Sequence, residues 1–124
     1  MSTLTVTNIK ATGETASRAV SGVAAAWVNF NGTGTIATRD SVNVSGLTDG
    51  GTGVYAIAYS SALANNDYSY QIHGTSSTAG GITKLTSASG SITTSDIDVQ
   101  ALNAAQSAYQ DNDDNSISIH GDLA

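Results

Sequence analysis

The sequence predicts an all-β protein, an antiparallel β-sandwich of about eight short strands preceded by an extended N-terminal arm. Three observations carry that expectation. Apolar and polar residues alternate with period two along short runs such as Val54–Tyr59 and Asp96–Ala101. Clusters of Gly, Asn, Asp and Ser separate these runs at intervals of about ten residues, where turns are needed. No run shows an apolar stripe of helical period. The stretch 103–110 is rich in Ala but offers no core-facing side, so a long loop is as good a reading as a helix.

Composition narrows the class. A length of 124 residues suits one domain with a modest core. Only 11% of residues are charged, against about a quarter in ordinary globular domains, which points to a virion or extracellular β-structure rather than a cytosolic enzyme. The net charge of -6 is uneven, because Asp96, Asp98, Asp111, Asp113, Asp114 and Asp122 all follow Lys84, the last basic residue. That acidic third repels phosphate backbones and argues against nucleic acid as a partner. No basic amphipathic segment or bilayer-length apolar run is present, so no membrane insertion is expected. Residues 1–6 lack the basic start and apolar run of an export signal, so release by lysis is the expected route out of a cell. Without Cys there are neither disulfides nor thiolate metal sites. Without Pro, and with little Lys, the sheet edges lack two common protections, which fits a homo-oligomer whose neighbours cover them.

Residues 1–24 are read as an arm for docking or oligomer assembly, and residues 25–124 as the β-sandwich domain. In the arm, Leu4-Thr5-Val6-Thr7-Asn8-Ile9 alternates like a half-buried strand. The following residues are small and polar, with at most a helical turn over 15–20, and cannot fold alone. Leu4, Val6 and Ile9 are the candidate assembly residues of this segment.

The first domain strand runs through Ala26-Trp27-Val28-Asn29-Phe30, with Ala26, Val28 and Phe30 on one face and Ala25, Trp27 and Asn29 on the other. Apolar residues on both faces mean two covers. Phe30 is assigned to the core, and Trp27 to a contact with the arm or a neighbour. Asn31-Gly32 begins a turn that calls for positive φ. Residues 35–40 are a second strand, and Ser41-Val42-Asn43-Val44-Ser45 alternates with Val42 and Val44 inward. Residues 46–53 are a glycine-dense turn, and Val54–Tyr59 returns with Tyr55, Ile57 and Tyr59 on one face. Residues 68–73 form a further strand and 74–81 a low-complexity loop. Weak strand signals follow at 82–86 and 90–94. Ile97, Val99 and Ala101 oppose Asp96, Asp98 and Gln100, and Ile117 and Ile119 point inward from a closing strand.

Few constellations carry chemistry. Gly50-Gly51-Thr52-Gly53 has no following Lys or helix and is a turn, not a phosphate cradle. Asp111, Asp113 and Asn115 place oxygens at alternate positions as calcium loops do. However, Ser116 replaces the sharp-turn Gly and the distal Glu is missing, so a solvated acidic turn is the reading. His73 and His120 sit on polar strand faces with nothing to bring them together. Asp96 and Asp98 lie on a regular strand without a nucleophile or base beside them. No catalytic residue, metal ligand or cofactor-binding residue is assigned, and no enzymatic activity is expected. Most of the tyrosines are read as core-lining with the hydroxyl at the rim. The alternative is a glycan-binding surface of exposed rings beside Asp and Asn, for which Tyr68, Tyr70, His73 and Tyr109 are the candidate surface-recognition residues.

The run Ala26-Trp27-Val28-Asn29-Phe30-Asn31-Gly32-Thr33-Gly34-Thr35 resembles the opening of a β-domain found in tail fibres and related structural proteins of phages. The likeness continues through Arg39-Asp40-Ser41-Val42-Asn43-Val44-Ser45-Gly46-Leu47-Thr48-Asp49, Asp67-Tyr68-Ser69-Tyr70 and Ser116-Ile117-Ser118-Ile119-His120-Gly121-Asp122. It departs at Val54, where that family has an aspartate, and at His120, where it has Phe. The arm's Leu4–Ile9 run is similar to short attachment segments of such proteins. The resemblance implies a virion component, such as a tail fibre, head fibre or capsid decoration protein. Its partners would be other capsid or tail proteins, further copies in a homo-oligomer such as a trimer, and host-surface glycans reached through loops 74–81 and 103–115. A stand-alone carbohydrate-binding module is the alternative.

Overall fold

The structure, a computed structural model, describes residues 2–9, 12–13, 15, 18–19, 23–77, 81–83 and 85–124, and only the backbone of 18–19, 81–83 and 85–91. The strands in chain order are β1 (Asn8–Ile9), β2 (Arg18–Ala19), β3 (Ala24–Asn31), β4 (Ala37–Val42), β5 (Val44–Gly51), β6 (Val54–Tyr59), β7 (Ser69–Ser76), β8 (Gly81–Thr83), β9 (Leu85–Ile92), β10 (Asp96–Ala101) and β11 (Asp114–His120). No helix occurs among the described residues.

Alternation decides the architecture. In β6 and β10 every second side chain is buried, and β3 and β11 nearly repeat the pattern. Successive side chains of a strand point to opposite faces, so each of these strands has an apolar row that only a second sheet can cover. The strands form an antiparallel sandwich. One sheet has the order β5-β6-β10-β9 and the other β4-β3-β11-β7-β8. Among the described residues, β1 and β2 pair with each other and with neither of these sheets.

The core lies between the sheets. Ala26, Val28 and Phe30 of β3 and Ile117 and Ile119 of β11 meet Tyr55, Ile57 and Tyr59 of β6 and Ile97, Val99 and Ala101 of β10. Phe30 is fully buried and lies edge-on to Tyr55, with ring centroids 5.1 Å apart. Such a pair contributes roughly 0.5–1.5 kcal/mol beyond its burial. Tyr59 and Tyr68 form a second edge-on pair at 6.2 Å. The expected inward rows of β6, β10 and β11 are the observed ones.

Three local expectations are corrected. Val42 and Val44 do not share an inward face. Asn43 takes a positive φ of 56°, and the chain passes there from one sheet to the other. Asn43 holds the corner through its side chain: Oδ1 accepts from the Ser61 N–H (2.7 Å), and Nδ2 donates to the Ser61 carbonyl (3.1 Å). Val42 is therefore left on the outer face, 47% exposed, while Val44 packs on the core.

The glycine-dense segment is mostly strand. β5 continues to Gly51, with register shifts between Val44 and Gly46 and between Asp49 and Gly51. The turn is confined to Thr52-Gly53, where Gly53 has φ 65° and lies so close to Ala101 and Gln110 that a Cβ would meet their backbone. In the Asn31-Gly32 turn, positive φ belongs to Gly34. Gly32 is required for room, because a Cβ there would strike the Tyr55 hydroxyl. The helical turn expected over 15–20 falls largely on residues outside those described.

Removal of the Phe30 ring leaves a cavity under the Tyr55 edge that neither sheet can collapse to fill. Phe30→Ala is expected to lower unfolding stability by about 3–5 kcal/mol in urea titrations followed by circular dichroism.

Candidate functional site

The outer face of the five-stranded sheet carries a concave feature. Strand register sets its composition. Trp27, Ser118 and Gln71 stand in one cross-strand row, and Asn29, Ser116 and His73 in the next. Between these rows lies an open groove of about 550 Å³. Trp27 is half-buried at one side, with Val42 beside it on β4. The groove thus combines one large aromatic side chain with amide, imidazole and hydroxyl groups, and none of its lining residues is acidic, Lys or Arg.

A charged network adjoins the Asn29 row. The β3–β4 pairing shifts register between Asn29 and Phe30, and Arg39 sits at that bulge. Arg39 Nη1 donates to Asn29 Oδ1 (3.2 Å) and to Asp114 Oδ1 (3.0 Å), and Nη2 donates to the Asp113 carbonyl. Asn29 Nδ2 in turn donates to Asp114 Oδ1 (2.8 Å) and Ser116 Oγ (2.9 Å). Both groups of the Asn29 amide are thereby committed to the sheet. The Arg39–Asp114 pair is solvent-exposed and orders side chains more than it stabilises the fold.

The acidic segment 111–115 diverges instead of converging on a cation. Asp111 Oδ1 accepts from the Gly53 N–H (2.6 Å) and faces the Tyr55 hydroxyl (3.2 Å). Asp113 Oδ1 accepts from the Ser77 N–H (2.8 Å), while Asp114 pairs with Arg39. Hydrogen bonds from the Ser77 side chain and backbone hold the Asp113 carboxyl below the usual carboxylate range. Asn112 and Asn115 are fully buried, so the turn is not simply solvated. Among the described residues, no group of three His, Cys, Asp or Glu is arranged to hold a metal ion.

The anticipated site residues do not form one site. Leu4 (84% exposed), Val6 and Ile9 are exposed. Trp27 and His73 line the same groove. Tyr68 does not belong to a recognition surface: it is buried, accepts a hydrogen bond from the Tyr59 hydroxyl (3.1 Å) and donates to the Thr93 carbonyl (3.1 Å). Its ring closes the end of the core beneath the 60–68 connection. Tyr70 is exposed but points to the opposite side of β7 from His73, and Tyr109 is exposed on the long loop, bridged to Leu102. His73 pairs with Ser116 and His120 with Ser69, which separates the two imidazoles by about 13 Å along the sheet.

Asn29, Gln71, Ser116 and Ser118 were not singled out as a group from the sequence. Strand parity sets each on the face away from the inward row of its own strand, but only the register brings three strands into one groove. Comparison with family models, with curated proteins and with solved structures finds no match.

Burial is the main cause that pushes the Tyr55, Tyr59 and Tyr68 hydroxyls above the ordinary tyrosine value of 10.0, with the Asp111 charge adding to it at Tyr55. A raised pKa means that the folded state keeps these protons after the unfolded chain has begun to lose them. Their stabilising contribution is therefore complete below about pH 10 and lost as pH rises further. In an alkaline titration, phenolate absorbance from these three tyrosines is expected only together with loss of near-ultraviolet circular dichroism.

Proposed function

We propose that this chain is a structural component of a bacteriophage virion, serving as a tail fibre, head fibre or capsid decoration protein. In this reading residues 1–24 are the docking and assembly arm, and residues 25–124 are the sandwich displayed for assembly and host-surface adhesion. The observation that carries it is the arm's exposed apolar side chains, Leu4, Val6 and Ile9, on a segment whose strands pair outside both main sheets. Apolar groups held at a surface in this way mark a contact with another chain. The resemblance of Ala26–Thr35 and its continuation to phage β-domains supports the virion setting. The mechanism is steric display rather than chemistry.

The neutral groove with Trp27 on the outer sheet face favours the second reading, a stand-alone carbohydrate-binding module. An aromatic ring flanked by amides and hydroxyls is suited to sugar stacking and hydrogen bonding. Glycan arrays separate the readings. Tight sugar binding by a soluble monomer that does not associate with particles favours the module.

Deletion of residues 1–24 tests the docking arm. Particles assembled with the truncated chain are expected to lose it, as read by mass spectrometry of purified virions, and full occupancy would show that the anchor lies elsewhere. Trp27→Ala is expected to weaken assembly more than folding. An equal loss of thermal stability in the isolated sandwich would instead place Trp27 among the folding residues.

A further inference from the structure

A sheet edge is a row of unpaired backbone N–H and C=O groups, which proteins blunt with bulges, charges or short strands. Three lateral edges of this sandwich are blunted. β4 is bulged against β3 and carries Arg39 and Asp40. β5 is bulged twice against β6. β9 shifts register against β10 between Ile97 and Val99. The edge at β7 is different. β8 covers β7 only at Gly74, Thr75 and Ser76. Residues 69–73 pair with β11 on their other side without a register shift, and they carry no Asp, Glu, Lys or Arg. Among the described residues, β9 comes close to β7 but pairs with β10, and no strand is hydrogen-bonded to 69–73 on the outer side.

The side chains along this edge leave an incomplete apolar row. Tyr70 and Ile72 lie opposite Ile119 and Ile117, on the core side of the sheet. Ile72 is only partly buried and Tyr70 is 39% exposed, so the rim of the core is uncovered there. Gln71 and His73 alternate to the outer face.

The arm carries the matching pattern. Thr3-Leu4-Thr5-Val6-Thr7 is uncharged, has apolar residues two apart and belongs to no strand. Five extended residues span about 17 Å, the same length as the open part of β7. Within one chain both partners stay uncovered, with Leu4 84% and Tyr70 39% exposed, so a chain's own arm does not close its own edge.

We infer that residues 3–7 of a second copy of this chain add to β7 as an antiparallel strand. Leu4 then faces Ile72 and Val6 faces Tyr70 on the core side, while Thr5 stands opposite Gln71 on the outer face. Main-chain hydrogen bonds supply affinity, and the alternating side chains fix the register. The inference rests on the assembly reading of the arm and names the surface that receives it. Donor and acceptor are different surfaces, so the contact builds a ring or a reciprocal exchange where the rotation closes and an open filament where it does not.

The chain has no cysteine, so single-cysteine versions report pairing directly. Full-length Thr5→Cys and Gln71→Cys chains, mixed and oxidised, are expected to give a covalent dimer several-fold more abundant than either chain gives alone. A second variant, Leu4→Asp with Val6→Asp, is expected to be monomeric by light scattering with an unchanged far-ultraviolet spectrum, while the parent chain is oligomeric. A monomeric parent, an oligomer that survives Leu4→Asp with Val6→Asp, or a Thr5→Cys with Gln71→Cys double variant that cross-links only within one chain would each overturn the inference. A chain monomeric in solution yet retained on particles overturns strand addition and leaves the virion reading intact. A strand-exchanged oligomer that never associates with particles does the reverse.

Discussion

The edge-on contact of Phe30 with Tyr55 is the constraint on which the rest of the structure depends. Phe30 belongs to the five-stranded sheet and Tyr55 to the four-stranded one, so their 5.1 Å centroid separation fixes how the two layers meet. Both rings are fully buried, yet Tyr55 carries a hydroxyl that must be satisfied. It reaches the Gly32 carbonyl and the Asp111 carboxylate, each at 3.2 Å. One side chain thus joins the core to the loop after β3 and to the long loop before β11. Gly32 and Gly53 are glycines because these loops must close tightly around that ring and its carboxylate partner.

This tie consumes groups that otherwise look functional. Asp111 serves the Gly53 backbone, Asp113 serves Ser77, and Asp114 holds Arg39 against Asn29. A buried hydroxyl and a strained turn need acceptors nearby, and the acidic segment supplies them. What stays available for partners lies elsewhere. The outer sheet face has a groove without acidic, Lys or Arg residues in its lining, the arm exposes Leu4, Val6 and Ile9, and among the described residues no strand is paired to the outer side of 69–73.

Much of this was legible because a strand's period of two survives tertiary context. The alternation in Val54–Tyr59 and Asp96–Ala101 could be satisfied only by burying one face, and both strands do so. The opposite facing of Trp27 and Phe30 follows from the same geometry. Segments where local chemistry competes with pairing were less legible. Glycines in 46–51 read as a turn because Gly lowers strand propensity, yet pairing with β6 absorbs them as bulges. Tyr68 read either as core-lining or, with Asn66 and Asp67 before it, as an exposed recognition residue. It is buried because the 60–68 connection folds over the end of the core, where Tyr59 offers its hydroxyl a partner.

By itself, the sequence determined the class and the inward rows of β6, β10 and β11, since each rests on spacing within a few neighbouring residues. Only the tertiary structure decided which strands share a sheet. That pairing is made by residues far apart in the chain, such as Ile117 with both Val28 and Ile72. It therefore also decided that Trp27, Gln71 and His73 line one groove, that Tyr68 is core, and that among the described residues no strand is paired to the outer side of 69–73. A strand's periodicity says which face is buried, and only register says what stands beside it.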